Sequence, residues 1–232
     1  MIALPADPAG RGDAILDELL GALSEMRGAA AAPLRALRRA YTRRLRDAPA
    51  ARVVRIAGRL VAAGSIEQRW VAYELVHYHR AALAGLKARD LARLGRGLDG
   101  WGAVDAFACY LAGPAWREGQ VGDALIRRWA RSRDRWWRRA ALVSTVPLNN
   151  RARGARGSGD VARTLAVCRL LLADRDDMVV KAMSWALREL AKRRPAAARR
   201  FVAAHRGTLA PRVVREVGNK LATGLKNPRR AR

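Results

Sequence analysis

Trp70–Val76 (WVAYELV), Trp136–Val143 (WWRRAALV) and Val179–Leu187 (VVKAMSWAL) decide the fold. Each sets an indole among apolar residues at helical spacing, and no stretch of the chain alternates apolar and polar residues as a half-buried strand would. Around them the periodic segments run roughly ten to twenty residues each, with short joins. Many short helices in sequence with antiparallel joins fit a helical-hairpin array better than a compact bundle. The repeat length is roughly 35 to 40 residues, the range of HEAT-type repeats. The expected fold is all-α: a curved array of antiparallel helical hairpins, an α-solenoid with a concave basic face.

Local signals place the helix ends. Asp13 is a candidate N-cap for a helix from Ile15 to Met26, and Pro33 opens a second helix. A third stops at Gly64, and Ser65 with Gln68 caps a fourth that runs on to Leu83. Asp99 is expected to cap a helix that ends at Gly113-Pro114. Later helices are expected at Asp134–Pro147, Asp160–Ala173, Asp176–Arg194, Pro195–Ala204 and Pro211–Gly224. Residues 1–12 read as a loose start, 13–225 as one domain and 226–232 as a basic tail.

Composition narrows the partner. Lys and Arg number 46 against 20 Asp and Glu, a formal charge of +26. Charge this lopsided repels itself unless a polyanion neutralises it, which makes nucleic acid the leading partner class; a GC-rich coding bias explains part of the Arg count but not the shortage of acids. Cys109 and Cys168 lie in apolar helical patterns and read as buried free thiols. His77, His79 and His205 make no metal-binding spacing, so neither metal nor cofactor is expected. No apolar run approaches a membrane span, and the first residues lack the pattern of a signal peptide, so the cytoplasm, at the nucleoid, is the expected place, with a monomer as the default.

The chemistry centres on Leu98–Asp105, LDGWGAVD. Trp101 and Asp105 stand four apart, which puts an indole and a carboxylate on one helix face, one turn apart. Lys181, Trp185 and Arg188 share a face at i, i+4 and i+7, an odd core and a reasonable DNA surface. In DRWWRRAAL, Trp136 and Trp137 cannot share a face; Trp136 is expected in the core and Trp137 near the cleft. Trp70, Trp116 and Trp129 read as packing. Leu148–Gly159, LNNRARGARGSG, reads either as a solvated connector or as an arm whose Arg151, Arg153 and Arg156 touch phosphates. Arg138, Arg212, Arg215 and Lys220 complete the candidate DNA contacts. For Asp105 the plain alternative is a structural salt bridge to Arg139.

WGAVD, WWRRAALV and VVKAMSWALRELAK, in this order and separation, together with LAPRVVREVGNKL near the end, resemble the DNA alkylation repair family of HEAT-like-repeat DNA glycosylases, the AlkD type. The resemblance covers about Ile66 to Leu225. It implies that Trp101 and Asp105 match the family's Trp-x-x-x-Asp motif, with Asp105 the catalytic carboxylate. By the same resemblance Arg139 matches the Arg beside that carboxylate, and Trp185 the second aromatic wall around the sugar of a damaged nucleotide. The implied activity is excision of cationic N3- or N7-alkylated purines from duplex DNA, without flipping the base. The alternatives are a non-catalytic binder of branched or distorted DNA, a glycosylase specialised for bulky natural-product adducts, and a helical protein adaptor. Met26–Tyr41, MRGAAAAPLRALRRAY, departs from the family pattern: it is short and alanine-rich where members carry a longer, aromatic-containing first repeat. That shifts the expected contacts to the C-terminal half and the 148–159 loop.

Overall fold

A computed structural model describes residues 13–150 and 159–228. Arg151, Arg153 and Arg156 of the candidate arm, the start at 1–12 and the last four residues of the basic tail lie outside the described residues. Among those described, every regular element is helical, and no helix is long and apolar enough to cross a membrane.

The chain opens with α1 (Ala14–Glu25), α2 (Ala31–Arg44) and α3 (Ala50–Ala63), which Gly64 ends in the left-handed region at φ 97°. Asp13 holds the N-cap position of α1, but its carboxylate binds Arg52 through two hydrogen bonds of 2.9 Å instead of capping. Helix α4 (Ile66–Tyr78) starts in the expected capping box, Ser65 with Gln68. It does not continue to Leu83. His79 leaves helical geometry, accepts a hydrogen bond from the Ala82 amide and sets its other ring nitrogen 3.1 Å from the Ala48 carbonyl; α5 (Arg80–Ala84) follows. His77 meets the Tyr110 carbonyl instead, so the two histidines diverge.

After α6 (Ala88–Leu94) comes α7 (Trp101–Phe107), whose N-cap is Gly100, not Asp99. Gly113-Pro114 does not end this helix. A π turn at Ala108–Ala112, closed by the Gly113 amide on the Ala108 carbonyl, leads directly into α8 (Gly113–Arg117). The wider turn shifts the hydrogen-bond register just where proline has no N–H to give. Helices α9 (Asp123–Ala130) and α10 (Arg135–Val143) follow. Asp134 caps α10 by accepting the Trp136 amide, and the helix breaks at Ser144–Thr145 before α11 (Val146–Asn149). The chain closes with α12 (Val161–Leu170), α13 (Asp177–Ala191), α14 (Pro195–Ala204) and α15 (Pro211–Thr223).

Packing turns this list into an α-solenoid. Helices α2, α4, α7, α10, α13 and α15 adjoin one another in that order and form a front row. Helix α3 packs behind α4, α9 behind α10, α12 behind α13, and α14 between α13 and α15. One continuous cluster of buried apolar side chains runs between the rows from Leu16 to Val217. From α4 on, the front-row helices begin at residues 66, 101, 135, 177 and 211, so the interval is 34 or 35 except for 42 between α10 and α13. This regularity brings like positions into line. The fifth residues are Trp70, Asp105, Arg139, Lys181 and Arg215. The register is physical: Asp105 meets Arg139 directly, and a side chain on Gly102 would lie 3.2 Å from Ile66.

Candidate active site

Helix α7 leaves few positions open to solvent. Trp101, Gly102 and Asp105 along its length are not buried, while Ala103, Val104, Ala106 and Phe107 are. Trp101 is 62% exposed, more than any other large apolar side chain among the described residues. Its position at the first turn of α7 leaves the indole with no neighbouring helix to cover it.

Asp105, one turn on, is held by Arg139 from α10. Nε donates to Oδ1 and Nη2 to Oδ2, both at 2.8 Å, and Nη1 donates to the Met178 carbonyl of α13 at 2.6 Å. One guanidinium therefore ties α7, α10 and α13 together. The Arg139 side chain is 7% exposed and that of Asp105 19%. Burial pushes the Asp105 carboxyl above its usual value, and Arg139 opposes it. The carboxylate can accept about four hydrogen bonds, and Arg139 takes two, so acceptor capacity remains on the solvent side. Cys109 sits a further turn along; burial pushes its thiol up to about 12, so it stays protonated.

Helix α13 presents the stripe expected of it. Among its residues only Asp177, Met178, Lys181, Trp185 and Arg188 are not buried. Trp185 is two turns from Met178, the residue Arg139 grips, and so lies on that same face. Lys181 pairs with Asp177 at 2.6 Å, and Arg212 of α15 reaches the other oxygen of Asp177 at 2.6 Å. Arg188 donates to the Ser184 hydroxyl, which donates to Glu216, and partial burial pulls the guanidinium below its ordinary range. Arg215 is exposed, and Lys220 bonds the Gly224 carbonyl that ends α15.

Two expectations change. Arg138 is engaged within the protein, by Asp174 at 2.7 Å and the carbonyls of Ser132 and Arg133. The split expected between a core Trp136 and a cleft Trp137 is not seen, because both are partly buried and packed against the core. Trp137 packs inward, with ring centroids 4.9 Å from Trp129 and 6.0 Å from Phe107, and its edge closes on Gly95. It is the third residue of α10, matching buried Ala103 of α7, which is why it points away from the front. Trp136, three before Arg139, carries Arg135 over its ring at 4.8 Å.

The sequence reading missed the front of α2 and α4. Tyr78 is half exposed with Arg38 stacked 4.1 Å from its ring centre, and Arg35 sits 5.5 Å over Trp70. The visible signal was the aromatic spacing in WVAYELVHY, read there as packing.

A carboxylate held by a buried guanidinium, open on one side beside an indole, can stabilise a cation that approaches from the front. No curated protein and no solved structure matches the chain. A family model described as DNA alkylation repair enzyme matches residues 22–221, a span that contains the whole line from Trp70 to Arg215, and the chain belongs to that family of DNA repair enzymes.

Proposed function

We propose that the protein is a metal-independent DNA glycosylase for cationic N3- or N7-alkylated purines in duplex DNA. The observation that carries this reading is Asp105, a carboxylate open to solvent on one side, aimed by the buried Arg139 and set one turn from the exposed Trp101. An acid facing a phosphate backbone lowers affinity for DNA, so a site built only for binding has no use for it.

An alkylated purine is already positively charged and is a good leaving group without a general acid. As its glycosidic bond breaks, positive charge develops on the deoxyribose. Asp105 stabilises that oxocarbenium ion and orients the attacking water, and Trp101 and Trp185 add cation–π attraction. A carboxylate about 4 Å from a unit charge is worth roughly 4 kcal/mol at an effective dielectric of about 20. That is about a thousandfold in rate if it acts only in the transition state. It suffices for a labile cationic nucleotide and falls short for a neutral base, which sets the substrate class.

The test is release of 7-methylguanine from methylated duplex DNA by the parent and by Asp105→Asn, with chelator present. The expected result is release by the parent and a loss of about a thousandfold in the variant, with duplex affinity kept. Equal release by both proteins, or tight binding without release by either, would overturn the reading.

A further inference from the structure

Trp137 and the arginines of α9 take no part in the Asp105 site, and they meet on the far side of the array. Behind the front row α6 packs beside α3 and α9 beside α12, but α6 and α9 barely touch. Trp137 of α10 reaches into that interval. Its ring tip closes on Gly95, the residue that ends α6, so tightly that a side chain there has no room. The indole is partly buried, and Trp129 and Phe107 brace it from the protein side.

Along the outer side of α9, Arg127, Arg128 and Arg131 fall within about 100° of arc at about 3.6 residues per turn, and all three are exposed. With Ser132 and the indoles of Trp129 and Trp137 they line an open groove of about 720 Å³, within the size range of small-molecule sites. The donors of this groove outnumber its acceptors. Arg127 spends one nitrogen on Asp123 at 3.1 Å, and the other oxygen of Asp123 is taken by the Trp116 indole N–H at 2.8 Å. Arg128 and Arg131 have no carboxylate within 4.0 Å and no side-chain hydrogen bond among the described residues. The Ser132 hydroxyl accepts from the Asp134 amide at 3.2 Å and donates to nothing among the described residues, while Asp134 itself accepts the Trp136 amide.

Guanidinium groups grip phosphate through paired N–H donors, and an indole beside them offers a surface to a planar ring. A free phosphate would use only the first half of this arrangement, and a neutral ring only the second. We propose that the groove binds a nucleoside monophosphate, with its phosphate on Arg128, Arg131 and the Ser132 hydroxyl and its base against Trp137. Helix α9 stands behind α10, in the row opposite Asp105 and Trp101, so this ligand and a duplex on the front do not compete. The site is independent of the proposed excision, and either can stand without the other.

The experiment titrates the full chain with adenosine 5′-monophosphate and follows heat and tryptophan fluorescence. Saturable binding at one site, with quenching of the indoles, is the expected result. Two double variants separate this groove from the general charge of the protein. Arg128→Ala with Arg131→Ala removes the proposed phosphate grip. Arg199→Ala with Arg200→Ala, exposed on α14, makes the same change in net charge elsewhere. The first pair is expected to weaken binding by about tenfold or more and the second by less than about twofold. All four side chains are exposed, so both variants keep the parent's urea midpoint. Inorganic phosphate and adenosine, each alone, are expected to bind more weakly than the nucleotide, and a saturating unmodified duplex is expected to leave nucleotide binding in place. Absence of saturable binding, equal effects of the two double variants, phosphate or adenosine as tight as the nucleotide, or displacement of the nucleotide by the duplex overturns the proposal.

Discussion

Asp105 and Arg139 answer to pH together. Burial raises the Asp105 carboxyl and the guanidinium opposes that rise, with burial the larger effect. A carboxyl whose folded value is raised binds its proton more tightly in the folded state. Its contribution to stability is full below the unfolded value and is lost as pH rises through the folded one. At neutral pH the ionised Asp105 is therefore a burden on the fold that Arg139 lightens. Two outcomes follow for Arg139→Ala. The proposed excision, for which the carboxylate must be ionised, is expected to shift its acid limb to higher pH, because only burial is left to set the ionisation. Stability falls by about 3–5 kcal/mol near neutral pH, as for other broken buried pairs, and by less in acid, where Asp105 takes up its proton. Urea melts and pH–rate profiles of the two proteins check both. An unmoved acid limb would mean that another group sets the rate. Trp101 was legible at this scale because an indole and an acid four apart mean one thing on a helix. The inward turn of Trp137 was not, since two adjacent indoles leave open which of them faces the front.

At the scale of the element, most helix ends were written in local chemistry. Ser65 with Gln68, Asp134, Asp160 and Asp176 all cap where their side chains can reach an amide, and Gly64 and Gly224 stop helices with φ 97° and 75°. At two of the joins a side chain was claimed by a distant partner that spacing does not reveal. Asp13 went to Arg52, 39 residues on, and His79 to the Ala48 carbonyl. At Gly113-Pro114 the two strongest helix breakers sit inside a continuous helical path, because Gly113 is there for contact and not for termination. A side chain at this position would meet the Ser144 carbonyl and the Pro147 ring at 2.7 Å. Gly113→Ala is accordingly expected to force α8 off α11 and to destabilise by about 1–3 kcal/mol, the range for overpacking a closed contact. The check is a lower urea midpoint at an unchanged m-value; an unaltered midpoint would mean that the two helices separate without strain.

At the scale of the molecule, the array arranges charge more than it stores it. The repeat was legible because an interval near 35 recurs in the apolar pattern; the alignment of Trp70, Asp105, Arg139, Lys181 and Arg215 was not, because it needs helix starts fixed to the residue. That line has one acid, and its guanidinium partner comes from the next helix, so the negative charge at the site is matched locally while the rest of the face stays basic. Binding and chemistry should then separate. With about six phosphates neutralised, log K for duplex DNA is expected to fall with log salt at a slope near −5. Asp105→Asn should leave that slope alone, since in the proposed mechanism the carboxylate meets a sugar and no phosphate, while Arg139 keeps its bond to the Met178 carbonyl and its place between α7 and α13. A salt titration of parent and variant on the same unmodified duplex decides it. A flat response in the parent would remove DNA as the partner of this face. A steeper slope in the variant would mean that Arg139, freed from Asp105, turns to the backbone, and that the carboxylate acts in the parent to keep a phosphate out.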